Sequence, residues 1–208
     1  MPQRRYRQFC PLARALDVLG ERWTLLLIRE LMVGPRRYSD LRNALPGLAT
    51  DLLATRLRQL QESGLIDRRE VPPPTPATVY ELTTRGRALK PVIRELANWG
   101  RPLLSEPADD WLPDSALLLG METAFHPEAA EGINETYELE VDGMRVAVRV
   151  YAGTLQVTPG GAGEHATLRI VTDRSGFMEL ARGTPRADLQ VEGDRAALAR
   201  LQKIFSPT

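Results

Sequence analysis

The chain has 208 residues, 43% hydrophobic and 26% charged, which suits one or two soluble domains with proper cores. Its single cysteine excludes an intrachain disulfide framework, and its two histidines, His126 and His165, have no metal-ligand spacing. A formal net charge of zero hides an asymmetry: residues 1–104 hold 18 Lys+Arg against 10 Asp+Glu, and residues 105–208 hold 9 against 17, so only the first half suits a polyanion.

Along the chain, MPQRRYRQFC is charged but has no apolar run, so no secretory signal is expected. In PLARALDVLG, Pro11 fits the first turn of a helix and Gly20 its end. ERWTLLLIRELMVGP is apolar almost all round from Trp23 to Ile28, as in a helix at the centre of a small domain, and stops at Gly34-Pro35. That run is too short to span a bilayer, so no membrane partner is expected. YSDLRNALPG reads as a short helix ended by Pro46-Gly47. LATDLLATRLRQLQESGL follows as a helix with Ala49 or Thr50 near its N-cap. Leu53, Leu57, Leu60 and Gly64 form its buried stripe, and Asp51, Thr55, Arg58 and Glu62 project from the far side. LIDRREV and TVYEL are β-prone runs joined by PPPTPA, a hairpin with a projecting tip. TTRGRALKPVIRELANWGRPLL returns to helix, started or kinked by Pro91, with Leu89, Val92, Ile93, Leu96 and Leu103 on one side.

The prolines and acids of SEPADDWLPD mark a linker. Beyond it, PDSALLLGMETAF has helical spacing, and YELEVDGMRVAVRVYAGTLQV alternates apolar and polar residues around Asp142-Gly143 and Ala152-Gly153 turns. ATLRI and ADLQVEG read as further strands, DRSGFMELARG as a short helix, and DRAALARLQKIF as a helix capped by Asp194. The expected fold class is α+β: a mainly helical winged helix-turn-helix over 1–104, a linker over 105–113, and a small antiparallel sheet with helices against one face over 114–208.

In such a unit the LATDLLATRLRQL helix offers its N-terminal half to a major groove of double-stranded DNA. Thr50, Asp51, Thr55 and Arg58 would reach base edges, Arg58 gripping guanine through a bidentate contact. Asp51 equally suits a role confined to the helix dipole. Arg36, Arg37 and Ser39, beside the preceding short helix, suit phosphate contact, with plain solvation as the alternative. Arg68 and Arg69 lead into the wing, facing an adjacent groove or backbone. Cys10 precedes Pro11 at a helix start, where N–H groups and Arg4, Arg5, Arg7 and Arg14 would favour a reactive thiolate; the competing reading is a small buried hydrophobe. Trp99 and Leu103 extend an apolar stripe suited to dimerisation or to packing within the unit.

CPLARALDVLGERWTLLLIRELMVGPRRYSDLRNALPGLATDLLATRLRQLQESGLIDRR, with VYELTTRGRAL after it, closely resembles the HxlR-type winged helix-turn-helix transcriptional regulators over about residues 8 to 104. The resemblance implies a cytoplasmic bacterial or archaeal regulator, a repressor or autoregulator, dimeric through its outer helices and bound to a roughly palindromic operator. Some regulators of this type use a cysteine in the region of Cys10 to sense electrophiles or oxidants, and the resemblance makes Cys10 a candidate for that role. The segment from about 114 to 206 more loosely resembles the sterol carrier protein type 2 (SCP2-like) fold, through its strand order and terminal strand-Gly-Asp-helix. That likeness implies an apolar cavity for a hydrophobic small-molecule effector, with Val146, Val148, Leu155, Leu168, Phe177 and Leu180 as candidate lining; the same residues would form any dry core. Alternatives are a lipid carrier whose helical half only dimerises, and a protein–protein adaptor. No nucleophilic triad, phosphate-binding glycine loop or metal cluster argues for an enzyme, and no cofactor is called for.

Overall fold

In the computed structural model, residues 5–72, 76–104, 112–181, 184, 186 and 189–205 are described. Arg4, the wing-tip residues 73–75 and most of the expected linker (105–111) lie outside the described residues. The chain divides into two compact units, Met1–Ser115 and Ala116–Thr208.

In the first unit Pro11 opens α1 (Pro11–Leu19), where its missing N–H leaves no hydrogen bond unmade. α2 (Thr24–Met32) supplies the centre of the core: Leu27, Ile28 and Leu31 are buried, as its apolar run requires. It gives way to Gly34 in a positive-φ conformation, then to a two-residue strand, β1 (Arg36–Arg37). α3 (Tyr38–Ala44) and α4 (Thr50–Glu62) follow, and Leu41, Leu45, Leu53, Leu57 and Leu60 are buried from these two helices and the turn between them. β2 (Ile66–Val71) and β3 (Ala77–Leu82) form the hairpin, and β1 pairs on the far side of β3, giving a sheet of order β1-β3-β2.

Two details differ from the sequence expectation. Gly64 does not belong to the buried stripe of α4. The helix ends at Glu62, and Gly64 is exposed at φ +68, while the Leu65 N–H returns to the Leu60 carbonyl at 3.0 Å and closes the helix end. The helix expected after the hairpin is two helices, α5 (Thr84–Arg87) and α6 (Lys90–Gly100). Thr83 caps α5 by accepting from the Gly86 N–H, and a Cβ on Gly86 would lie 2.1 Å from the Leu65 carbonyl oxygen, so only glycine fits there. Pro91 then sits in the first turn of α6.

The second unit contains all but the first two residues of α7 (Asp114–Ala124), then β4 (Glu135–Val141), β5 (Met144–Tyr151), β6 (Thr154–Pro159), β7 (Leu168–Thr172), α8 (Arg174–Ala181), β8 (Gln190–Gly193) and α9 (Arg195–Phe205). Both hairpin turns have positive φ at their two central residues, Asp142-Gly143 and Ala152-Gly153, matching the right-handed twist of the strands. The sheet order is β6-β5-β4-β7-β8. The expected antiparallel sheet is corrected at one place: β7 runs parallel to β4, with Tyr137 opposite Leu168 and Val141 opposite Thr172. The chain leaves β6 at one edge and crosses over through residues 160–167 to enter beyond β4, a connection that a parallel pair needs and a hairpin cannot make.

Tyr137, Leu139, Val141, Val146, Val148, Val150, Leu168 and Ile170 are the buried alternate residues of the sheet. α8 and α9 pack against β7, with Leu180, Ala197, Leu201 and Ile204 buried. Of the candidate cavity residues, Val146, Val148, Leu168 and Leu180 are buried in this packing, and Leu155 and Phe177 are half-buried. A cavity of about 290 Å³ in this unit is instead polar, lined by Glu138, Arg145, Arg169, Glu192, Gly163, Ala166 and Gly193. Glu138, 2% exposed, accepts from the Ala162 N–H and the Arg145 guanidinium, with Arg169 Nε 3.4 Å away. Burial pushes its carboxyl up, but these donors together hold it below the usual carboxylate range. Asp194 accepts from the Ala196 N–H at the head of α9 and from Arg200, which lower its carboxyl likewise.

Candidate nucleic-acid interface

α4 carries the arrangement to be explained. Leu53, Leu57 and Leu60 bury one side completely, which turns Asp51, Ala54, Arg58 and Gln61 outward, with Thr55 half-buried beside them. At 13 residues the helix is about 20 Å long, enough to lie along a major groove. Its start is fixed from outside: Tyr38, the first residue of α3, donates its phenolic hydrogen to the Thr50 carbonyl at 2.9 Å. The residues before Tyr38 are held as well, because Asp40 in the first turn of α3 accepts from the Arg37 N–H at 2.9 Å.

The candidate residues divide by what they touch. Arg58 is exposed and Arg36 half-buried, and neither side chain has a hydrogen bond or ion pair among the described residues. Thr50 and Asp51 are exposed in the first turn of α4, where a carboxylate complements the helix dipole. The Thr55 hydroxyl is directed back to the Asp51 carbonyl at 2.8 Å, so it can offer only an acceptor and its methyl group outward. Ser39 is exposed, its hydroxyl 3.4 Å from Asp40.

Strand register sorts the four arginines around the wing. Arg36 and Arg68 both pair with Tyr80, and Arg37 and Arg69 both pair with Val79. Paired residues share a sheet face, so Arg36, Tyr80 and Arg68 form one row and Arg37, Val79 and Arg69 another. Within each row the two arginines stand two strand spacings, roughly 10 Å, apart. Arg69 is bound to Glu81 at 3.1 Å, and Arg68 lies 3.6 Å from Glu70, so both wing arginines are already partly neutralised.

Two residues that the sequence reading passed over shape this face. Tyr38 anchors the start of α4, and Arg56 turns inward from it to Glu21. A position one helical step off the outward face is the only signal the sequence offered for Arg56. Cys10 is half-buried at the N-cap of α1 with a free thiol and no side-chain capping bond; Tyr6, Leu12 and Leu16, near it in sequence, are exposed. On α6, Ile93 is buried, whereas Val92, Leu96 and Trp99 are exposed, Trp99 by 71%; Leu103, in the single 3-10 turn after it, is 70% exposed. Exposed apolar side chains thus occur on both α1 and α6 of this unit.

The HxlR-like helix-turn-helix family matches residues 18–107. The chain is 36% identical over 118 residues to an uncharacterized HTH-type transcriptional regulator, sll1512, of Synechocystis, covering 57% of this chain and 82% of that protein. It is 35% identical over 112 residues to the uncharacterized HTH-type transcriptional regulator YvaP of Bacillus subtilis, covering 53% of this chain and 95% of that protein. To the HTH-type transcriptional regulator YodB of the same organism it is 34% identical over 101 residues, 48% of this chain and 89% of that protein. No helix among the described residues is long and apolar enough to cross a membrane.

Proposed function

Because this chain belongs to the HxlR-like helix-turn-helix family and is a DNA-binding transcriptional regulator, we propose that it acts as a homodimer that sets two copies of α4 into successive major grooves of a roughly palindromic operator. The observation that carries this reading is the outward face of α4: a helix fixed at its start by Tyr38, with Arg58 exposed and uncommitted. Arg58 reads guanine, while Thr50, Asp51 and Thr55 border the same base edges. Arg36, Arg37 and Ser39 contact phosphate, and Arg68 and Arg69 follow the backbone from the wing. The exposed apolar residues of α1 and α6 pair the subunits, so that the two reading helices stand about 34 Å apart, one turn of B-form DNA.

The second unit, in this reading, is an SCP2-like effector domain whose packed apolar core opens to take a hydrophobic small molecule and so shifts the dimer between DNA-competent and incompetent states. Its strand order and the β8-Gly193-Asp194-α9 join support that likeness. Cys10 gives a second input: oxidation or alkylation of its free thiol, beside exposed apolar residues of α1, alters the subunit contact.

The test is gel-shift binding of the full chain to its own upstream DNA and to a random duplex at two salt concentrations. A regulator binds the upstream DNA in preference, and its affinity falls steeply with salt. Equal, weak binding to both duplexes would refute the reading. Labelling Cys10 with a maleimide at neutral pH should weaken the operator complex; unchanged binding by the fully labelled protein would remove Cys10 from the mechanism.

A further inference from the structure

Arg56 lies on α4 but not on its reading face. Its side chain is 12% exposed; Nη2 reaches Glu21 Oε2 at 2.5 Å and Nη1 donates to Gln59 Oε1 at 2.6 Å. Glu21 stands in the turn between α1 and α2, 35 residues earlier in the chain. That turn is held at a second point. Trp23 adopts φ +76, a conformation costly for a bulky side chain, and its ring lies where a Cβ on Gly47 would come within 3.0 Å. Gly47 belongs to the turn between α3 and α4. The Glu21–Trp23 turn therefore grips both the entry to α4 and its middle, and it is continuous with α1, whose Leu12 and Leu16 are exposed apolar residues.

From this geometry we infer that Arg56 and Glu21 form a positioning pair that ties the orientation of the DNA-reading helix to α1, so that sequence recognition depends on how α1 is held. The inference rests on the DNA-binding reading above and assigns to Arg56 no contact with DNA. The Gln59 amide, on the same helix, holds the guanidinium in place, and the Glu21 carboxylate is the contact that joins that helix to the turn after α1. Moving α1, by subunit rearrangement or by a ligand, then turns Arg58 relative to the base edges while leaving the charge of the interface unchanged.

Glu21→Gln gives the discriminating experiment because two effects oppose each other. Deleting an acid from a DNA-binding unit raises affinity for every duplex by simple electrostatics. Loss of the tether lowers affinity for the cognate duplex alone. The probe is a duplex selected from a random library by the wild-type chain, with an unselected duplex as control. The pair predicts that Glu21→Gln binds the selected duplex about three- to tenfold more weakly, while the unselected duplex is bound equally or more tightly. It also predicts that Glu21→Gln/Arg56→Gln is no weaker than Arg56→Gln alone. Glu21 is on the surface, and an unchanged thermal melt and dimer mass keep the loss from being one of folding. The inference is overturned if Glu21→Gln binds the selected duplex as tightly as wild type, or if the two single losses add, as they would if Arg56 touched phosphate. A wild-type chain that selects no duplex would overturn the DNA-binding reading itself.

Discussion

In the first unit the side chains of Arg36 and Arg58 carry no hydrogen bond or ion pair among the described residues; in the second Arg145, Arg169, Arg174, Arg186 and Arg200 each end on a carboxylate, while Arg149 and Arg195 have no side-chain partner among the described residues. Both units leave some arginine side chains uncommitted; in the first, where arginines outnumber acids, two of them lie in β1 and on α4, and in the second five arginines meet carboxylates within their own unit. An arginine already satisfied by a carboxylate would have to give up that bond to reach phosphate. Sequence-specific contact is therefore expected from the uncommitted arginines, and stability from the committed ones.

The largest effect that can break this comparison comes from beneath the reading face. Leu57→Ala should cost about 2–5 kcal/mol in denaturant unfolding of the first unit and abolish operator binding; operator binding that survived would mean α4 is not the reading helix. Next, Arg58→Ala should lose about 1–3 kcal/mol of discrimination at one base position, measured by competition among duplexes varied singly. Arg169→Ala, at a paired arginine of the second unit, should lower the melting temperature of that unit and leave DNA affinity unchanged. If the two variants affected DNA alike, the different roles given to these two arginines would fail.

Smaller effects sharpen the comparison. Arg37→Ala should weaken all duplexes equally and reduce the slope of log affinity against log salt by about one, in contrast to the position-dependent loss at Arg58. Acid should act on the second unit through Glu138. Its carboxyl is depressed in the folded state, so its contribution to stability is fully present above the unfolded carboxylate value, about 4.3, and is lost as pH falls through the lower folded value. Glu138→Gln should flatten the acid limb of the stability curve measured by circular dichroism; an unchanged limb would assign the acid sensitivity elsewhere.

Local patterns made much of this molecule legible from sequence. The buried stripe Leu53, Leu57, Leu60 and the proline at the head of α1 act within one helix, and the two glycine-containing hairpin turns act within a few residues. What depended on distant partners was not legible. Two residues, Arg36 and Arg37, have no strand pattern of their own and become β1 only by pairing with Tyr80 and Val79. The parallel pairing of β4 with β7 is decided by where the crossover lands, and alternation is the same in either direction. On α4, the exposure of Asp51 and Arg58 followed from periodicity, while Thr55 is half-buried. The inward turn of Arg56 did not, because it is set by Glu21, a residue in a turn far away in the chain.

The most direct test is the stoichiometry and footprint of the full chain on a duplex it selects from a random library. Two chains per duplex should bind, protecting two major-groove segments whose centres lie about 10 base pairs, or a whole multiple of one helical turn, apart. One chain per duplex, or protected segments on opposite faces of the double helix, would contradict it.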